Sequence, residues 1–234
     1  MRLDKFISSQ RTDLSRNDVK ALVKKGRVTV DGERVKRADM QIDEKSSAVC
    51  VDGAMISYKR FLYLMLNKPS GVVCSTKEGS SPTVIDIIPE EYRREGLFPA
   101  GRLDKDTEGF VLLTDDGQLA HRMLSPKSHV PKTYFVRLEH PFEQGYAEAF
   151  EAGLIIDGNE KCLPAKFTGL DKDNECEVIL HEGKFHQVKR MFEALGNKVI
   201  YLKRIKIGAL PLDESLPLGG VKEIEDIAPL ETKA

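Results

Sequence analysis

Gly101 to Gly117 reads GRLDKDTEGFVLLTDDG, and the rest of the chain is arranged around it. Its front end places Arg102, Asp104, Lys105, Asp106 and Glu108 within seven residues. Phe110 to Leu113 is a continuous apolar run, the pattern of a strand buried on both faces. Asp115-Asp116-Gly117 then closes that strand and opens a helix. A charged turn fixed to a buried strand is a rigid way to hold a carboxylate at a site. On spacing alone, the commoner meaning of such a charge run is a solvated loop with local ion pairs.

Upstream of this stretch, Phe61 to Leu66 reads as an apolar strand, Asn67-Lys68-Pro69-Ser70-Gly71 as a turn and Val72 to Cys74 as a further strand. Thr83 to Ile88 reads as a short helix stopped by Pro89, and Leu97 to Ala100 leads into the central turn. Downstream, Gln118 to Leu124 is helical. A loop carrying Lys127, His129 and Lys132 follows, and TYFVRL, Thr133 to Leu138, is a strand. Phe142 to Leu154 has helical amphipathicity, and strands fall around 163–169 and 175–181. EGKFHQVKRMFEALG, Glu182 to Gly196, reads as a helix burying Val188, Met191, Phe192 and Leu195. His186, Lys189 and Arg190 lie at i, i+3 and i+4 on a different face. Lys198 to Ile207 is the last clear strand.

The head of the chain has its own organisation. Residues 3–10 form a short helix, and Ser15 with Asp18 makes a capping box for a second one. Val19, Leu22 and Val23 are its apolar stripe, and Gly26 is its stop. Val28 and Val30, the Asp31-Gly32 turn and Val35 form a hairpin. Residues 46–60 read as an edge plus a linker.

With 234 residues, 41% hydrophobic and 31% charged, the chain suits a small and a larger globular domain. No apolar run reaches the length of a membrane span, and MRLDKFISSQ lacks a signal-peptide core. A cytoplasmic protein is expected. Cys50, Cys74, Cys162 and Cys176 form no CxxC pair and have no histidine at zinc-ligand spacing, so idle thiols and no metal are expected. The net charge of −1 hides an asymmetry: residues 1–60 hold 14 Lys and Arg against 9 Asp and Glu, and the remainder 22 against 28. A basic head on an acidic body points to a polyanionic partner.

Two motif sets carry a family resemblance. The central stretch resembles the catalytic motif of pseudouridine synthases of the RsuA type, which act on small-subunit ribosomal RNA. Gly101, Arg102, Leu103, Asp104, Thr107, Gly109, Thr114, Asp116 and Gly117 occupy the fixed positions of that motif. The LNKPxG pattern at 66–71, the K-x-Y-x-V setting of Tyr134 and the HQVKRM run match it too. SRNDVKALVKKGRVTVDGERV resembles the S4 RNA-binding module. The resemblance implies an α+β protein: an S4-like module over 1–58, then a catalytic domain over 59–234 on a mixed, largely antiparallel sheet flanked by helices. It implies isomerisation of a uridine of 16S ribosomal RNA, with no cofactor, by a monomer acting within an assembling small subunit. A synthase of the large-subunit (23S) branch and a non-catalytic S4-type assembly factor are the competing readings. The complete GRLD motif argues against the latter, because binding alone does not require Asp104.

The reaction breaks the N1–C1′ bond of uridine and rejoins the base through C5. It needs a carboxylate at the sugar–base junction, a group that takes the C5 proton and a pocket for the detached base. The resemblance implies Asp104 as that carboxylate, with a basic partner that is either Lys189 or Arg190. Attack at C1′, attack at C6 and removal of a sugar proton all remain open for it. Tyr134 is expected to stack on the extruded base, and its phenol could relay the C5 proton. Arg102 is expected to fill the vacated stack or hold a phosphate. His186, with Arg11, Arg16, Lys20, Lys24, Lys25 and Arg27 of the head, is expected to contact RNA.

Overall fold

The computed structural model describes residues 1–77, 79–125, 128 and 130–232, so Lys127 and His129 of the basic loop lie outside the described residues. Two compact units are present: Met1–Leu62 with Ile88–Leu97, and Tyr63–Ile87 with Phe98–Ala234.

In the first unit, α1 (Leu3–Gln10) turns Leu3, Phe6 and Ile7 inward. Helix α2 (Arg16–Lys24) starts at the expected capping box, in which Ser15 Oγ accepts from the Asp18 amide while the Asp18 carboxylate accepts from the Ser15 amide. Such a cap contributes about 1 kcal/mol. Strands β1 (Val28–Val30) and β2 (Glu33–Arg34) are joined by Asp31-Gly32, both at positive φ, as a two-residue hairpin turn requires. The sheet then continues through β3 (Val49–Val51) and β4 (Ala54–Met55), in the order β2-β1-β3-β4. The edge expected within 46–60 is found as β4, while β3, paired on both sides, takes up residues that were read with the linker. Val49 and Val51 bury into the core formed by Leu3, Phe6, Val19 and Val28, and Asp52-Gly53 makes a second tight turn at positive φ.

The second unit is built from β5 (Tyr63–Lys68), β6 (Phe98–Pro99), β7 (Glu108–Thr114), α3 (Gly117–Leu124), β8 (Lys132–Leu138), α4 (Tyr146–Ala152), β9 (Ile155–Ile156), β10 (Glu160–Lys161), β11 (Lys166–Gly169), β12 (Glu175–Leu180), α5 (Gln187–Ala194), β13 (Val199–Ile207), β14 (Leu210–Pro211) and β15 (Val221–Glu223). The main sheet runs β11-β12-β8-β13-β7-β5-β15, with β14 on β13 and β6 on β7. Strands β13 and β7 pair in parallel, and the other described pairs are antiparallel. The expected mixed, largely antiparallel α+β architecture is the one found.

Strand β7 lies inside this sheet and is buried from Gly109 to Thr114. Phe110 and Leu112 pack with Leu119, Ala120 and Met123 of α3. Gly109 sits at φ +100°, and a Cβ there would lie 2.3 Å from the Arg204 carbonyl oxygen, so glycine lets β7 approach β13. Asp116 caps α3, its Oδ1 accepting from the Gln118 and Leu119 amides at 3.0 Å each. The Tyr63 hydroxyl donates to Asp116 Oδ2 at 2.9 Å, and burial together with that carboxylate pushes its pKa up to about 12.

Four expected elements differ. Val72 to Cys74 is reduced to a bridge between Val73 and Thr83. Residues 84–87 are turns, because Thr83 Oγ1 accepts from the Ile85 and Asp86 amides and Asp86 accepts from the Thr83 amide. Such side-chain bonds compete with a helix. Helix α4 is shorter than 142–154, bracketed by Gly145 and Gly153, both at positive φ. Helix α5 begins at Gln187 rather than Glu182, because His186 adopts the left-handed conformation at φ 46°.

Candidate active site

Asp104 sits on the turn between β6 and β7, and that turn is pinned at several points. The Thr107 amide donates to the Asp104 carbonyl at 3.2 Å. The Leu103 amide donates to Cys74 Sγ at 3.3 Å. Lys68, at the end of β5, is fully buried, and its Nζ donates to the carbonyls of Pro69 at 2.9 Å and Lys105 at 3.1 Å. The Gly71 amide reaches the same Lys105 carbonyl at 2.8 Å. Burial pushes the pKa of Lys68 down, the signature of a cation held by neutral carbonyls in a desolvated place.

Helix α5 supplies the cation facing Asp104. Lys189 Nζ lies 3.2 Å from Asp104 Oδ2, and 2.7 and 2.9 Å from the two oxygens of Asp106. Burial works against the Lys189 ammonium, but hydrogen bonds to Asp106 and Asp104 outweigh it and raise its pKa. His186 Nε2 lies 3.5 Å from Asp104 Oδ1. The Asp104 side chain remains a quarter exposed. Sequence left Lys189 and Arg190 as alternative partners, and the geometry separates them. Arg190 points to Asp157 and Glu160, with Nη2 2.6 Å from Glu160 Oε2, and its Nη1 donates to the Phe185 carbonyl at 2.8 Å. Those two carboxylates raise its pKa. Arg190 is thus not the cation on Asp104. Successive helical residues differ by about 100° in direction, so the two cations serve different carboxylates.

The other expected site residues are distributed more widely. Arg102 is exposed beside the turn and forms no ion pair among the described residues. Tyr134 lies on β8 opposite Val178 and Arg204, and it is buried. In the first unit, Arg16, Lys20, Lys24 and Lys25 are exposed, whereas Arg11 is bonded to Asp13 and Arg27 to Asp52.

Several groups were given no site role from sequence. Asp106 is the second carboxylate on Lys189, and Lys68 clamps the Asp104 turn. Arg204 is buried on β13, its Nε donating to the Phe110 carbonyl at 2.7 Å and its Nη2 without a hydrogen-bond partner among the described residues. Lys132 stands close to it, and burial followed by the charge of Arg204 pushes Lys132 down to about 8. The only sequence signal for these groups was their place inside quoted runs. The four cysteines are free, and among the described residues no group of three or more His, Cys, Asp or Glu side chains forms a metal-binding set. A carboxylate with a cationic partner, on a rigid turn and partly open to solvent, can act as a nucleophile or a base.

Comparison with known proteins places the chain in a family. Residues 62–194 match the family model described as RNA pseudouridylate synthase, and residues 1–47 match the S4 domain. The chain is 47% identical to an uncharacterized RNA pseudouridine synthase of Bacillus subtilis, over 97% of this chain and 95% of that protein. It is 45% identical to the ribosomal small subunit pseudouridine synthase A of Haemophilus influenzae, over 94% of each. A crystal structure of a pseudouridylate synthase superposes with a TM-score of 0.66 at 41% identity, covering 96% of each chain.

Proposed function

Since the chain belongs to the RNA pseudouridylate synthase family, we propose that it isomerises a uridine of small-subunit ribosomal RNA, with Asp104 as the acting carboxylate and Lys189 as its counter-ion. The enzyme class follows from the family. The small-subunit substrate is supported by relatives named for that activity at 45% identity in Haemophilus influenzae and Vibrio cholerae. The observation that carries the site assignment is the 3.2 Å pair between Lys189 Nζ and Asp104 Oδ2, on the one turn that buried Lys68 clamps from below.

Extruding the target uridine costs a few kcal/mol. Arg102, exposed beside Asp104, fills the gap left in the stack or holds a phosphate. Tyr134 offers its ring to the extruded uracil. Lys189, 3.2 Å from Asp104 Oδ2, fixes the direction of that carboxylate at the sugar–base junction. N1–C1′ then breaks, the base turns, C5–C1′ forms, the C5 proton passes to a base or to water, and N1 takes up a proton in its place. The atoms only rearrange, so no donor or cofactor enters the balance. Residues 1–58 hold RNA through Arg16, Lys20, Lys24 and Lys25, which are exposed, and 59–234 perform the chemistry. The enzyme works as a cytoplasmic monomer on an assembling small subunit. No helix among the described residues is long and apolar enough to cross a membrane.

The test is tritium release from small-subunit RNA labelled at uracil C5. Asp104→Asn keeps the shape and removes the charge, so turnover should vanish while RNA affinity stays within about twofold. Turnover within tenfold of the parent enzyme would remove Asp104 from the mechanism.

A further inference from the structure

Phe185 is the most exposed large hydrophobic side chain among the described residues, at 75%. A single exposed apolar residue needs no explanation in itself. Its surroundings set this one apart. Its ring stacks on His186 with centroids 3.7 Å apart and planes at 19°, and His186 Nε2 is 3.5 Å from Asp104 Oδ1. The stack therefore begins at the acting carboxylate and ends in solvent.

The turn that presents it is held by design rather than left loose. His186 adopts φ 46°, a conformation that a non-glycine residue keeps only when its surroundings impose it. Arg190 imposes it, with Nη1 on the Phe185 carbonyl at 2.8 Å and Nη2 on Asp157 and Glu160 of the β9–β10 hairpin. The buried Gln187 side chain accepts from the Lys184 amide at 2.9 Å. Two carboxylates, a guanidinium and a strained backbone keep one phenyl ring out of the core.

We infer that the Phe185–His186 stack is a landing platform for an unpaired nucleobase flanking the target uridine. This rests on the function proposed above. The target base itself must reach Asp104, so the outer face of Phe185 is left for its neighbour in the strand. An aromatic face accepts any base, and Arg102, exposed two residues before Asp104, suits a phosphate beside it. The platform would hold the RNA beside the gap that extrusion opens. It also assigns Arg190 a positioning role, in place of a direct one on Asp104.

The chain contains no tryptophan, so Phe185→Trp introduces a single tryptophan at the platform, excited selectively over the six tyrosines. Its emission should be quenched on titration with a small-subunit RNA fragment. The same fragment made abasic at the contacted flanking nucleotide should leave it bright. Phe185→Ala and Phe185→Leu, confirmed as folded by circular dichroism, should lower kcat/KM about 5- to 150-fold, equivalent to roughly 1–3 kcal/mol at 1.4 kcal/mol per tenfold. Phe185→Trp should retain most of the parent value, and single-turnover rates at saturating RNA should change less than threefold. On the abasic fragment, parent and Phe185→Ala should be equal. Unquenched emission, or quenching that no abasic position in the fragment relieves, overturns the platform. These binding readouts stand even if the parent enzyme makes no pseudouridine in that RNA, an outcome that would instead refute the proposed substrate.

Discussion

Lys68→Met tests whether the Asp104 turn is held by the buried ammonium beneath it. The substitution removes two hydrogen bonds, to the Pro69 and Lys105 carbonyls, and a fully buried charge. Hydrogen bonds to a charged group contribute roughly 1.5–3 kcal/mol each. Against this stands the effective desolvation of an ammonium, several kcal/mol, visible in the lowered pKa of Lys68. The two terms nearly offset, leaving a loss of about 0–3 kcal/mol. For a chain of this size that is a fall in Tm of at most about 12 °C. Activity should respond far more. Lys105 adjoins Asp104, and without Lys68 its carbonyl keeps only the Gly71 amide. A displacement of about 1 Å at the carboxylate costs on the order of a hundredfold. The assay is tritium release under single-turnover conditions, with thermal melts of the same preparations. A rate within threefold of the parent, in a protein that melts as expected, would refute the clamp. So would a loss of activity that disappears once the rate is normalised to the folded fraction.

Lys189→Met should lower kcat at least about a hundredfold, whereas Asp106→Asn should keep it within tenfold, since Asp104 still faces the ammonium; equal losses in the two variants would show that the pairs act as one unit. Burial opposes ionisation of Asp106, but Lys189 outweighs it and lowers the pKa. The stabilisation from Asp106 is thus present above its unfolded value near 3.9 and is lost as pH falls through the lower folded value. Acid melts of Asp106→Asn should accordingly be shallower than those of the parent, and superimposable melts would remove this coupling. Lys132 is charged in both folded and unfolded states below pH 8, so the native state then carries the full desolvation penalty, which shrinks above 8 and is gone above about 10.4. Lys132→Met should therefore raise Tm at pH 7, with the gain fading by pH 10; a gain equal at both pH values would refute the assigned cause.

The parts legible in sequence are those whose signals are local. The Ser15–Asp18 box, the Asp116 cap and the apolar run of β7 each state their structure within a few residues. The β3–β4 hairpin was equally legible, since Val49-Cys50-Val51 alternates in burial around Asp52-Gly53, the strongest short hairpin signal. Ser46 and Ser47 ahead of it gave it the look of a linker. Lys68 was illegible for a different reason. A lysine in an Asn-Lys-Pro turn reads as solvated, and only the fold brings the Lys105 carbonyl, 37 residues away, over its ammonium.

The start of α5 shows most clearly what local patterns miss. Helical periodicity runs unbroken from Glu182, and nothing nearby in the sequence forbids a helix at His186. The interruption comes from Asp157 and Glu160, about 30 residues upstream, which capture Arg190 and through it the Phe185 carbonyl. The same capture decides between the adjacent cations. With Arg190 neutralised by the β9–β10 hairpin, Lys189 is the α5 cation left to face Asp104. A distant pair of carboxylates therefore sets both which α5 cation faces Asp104 and the direction of the ring beside it.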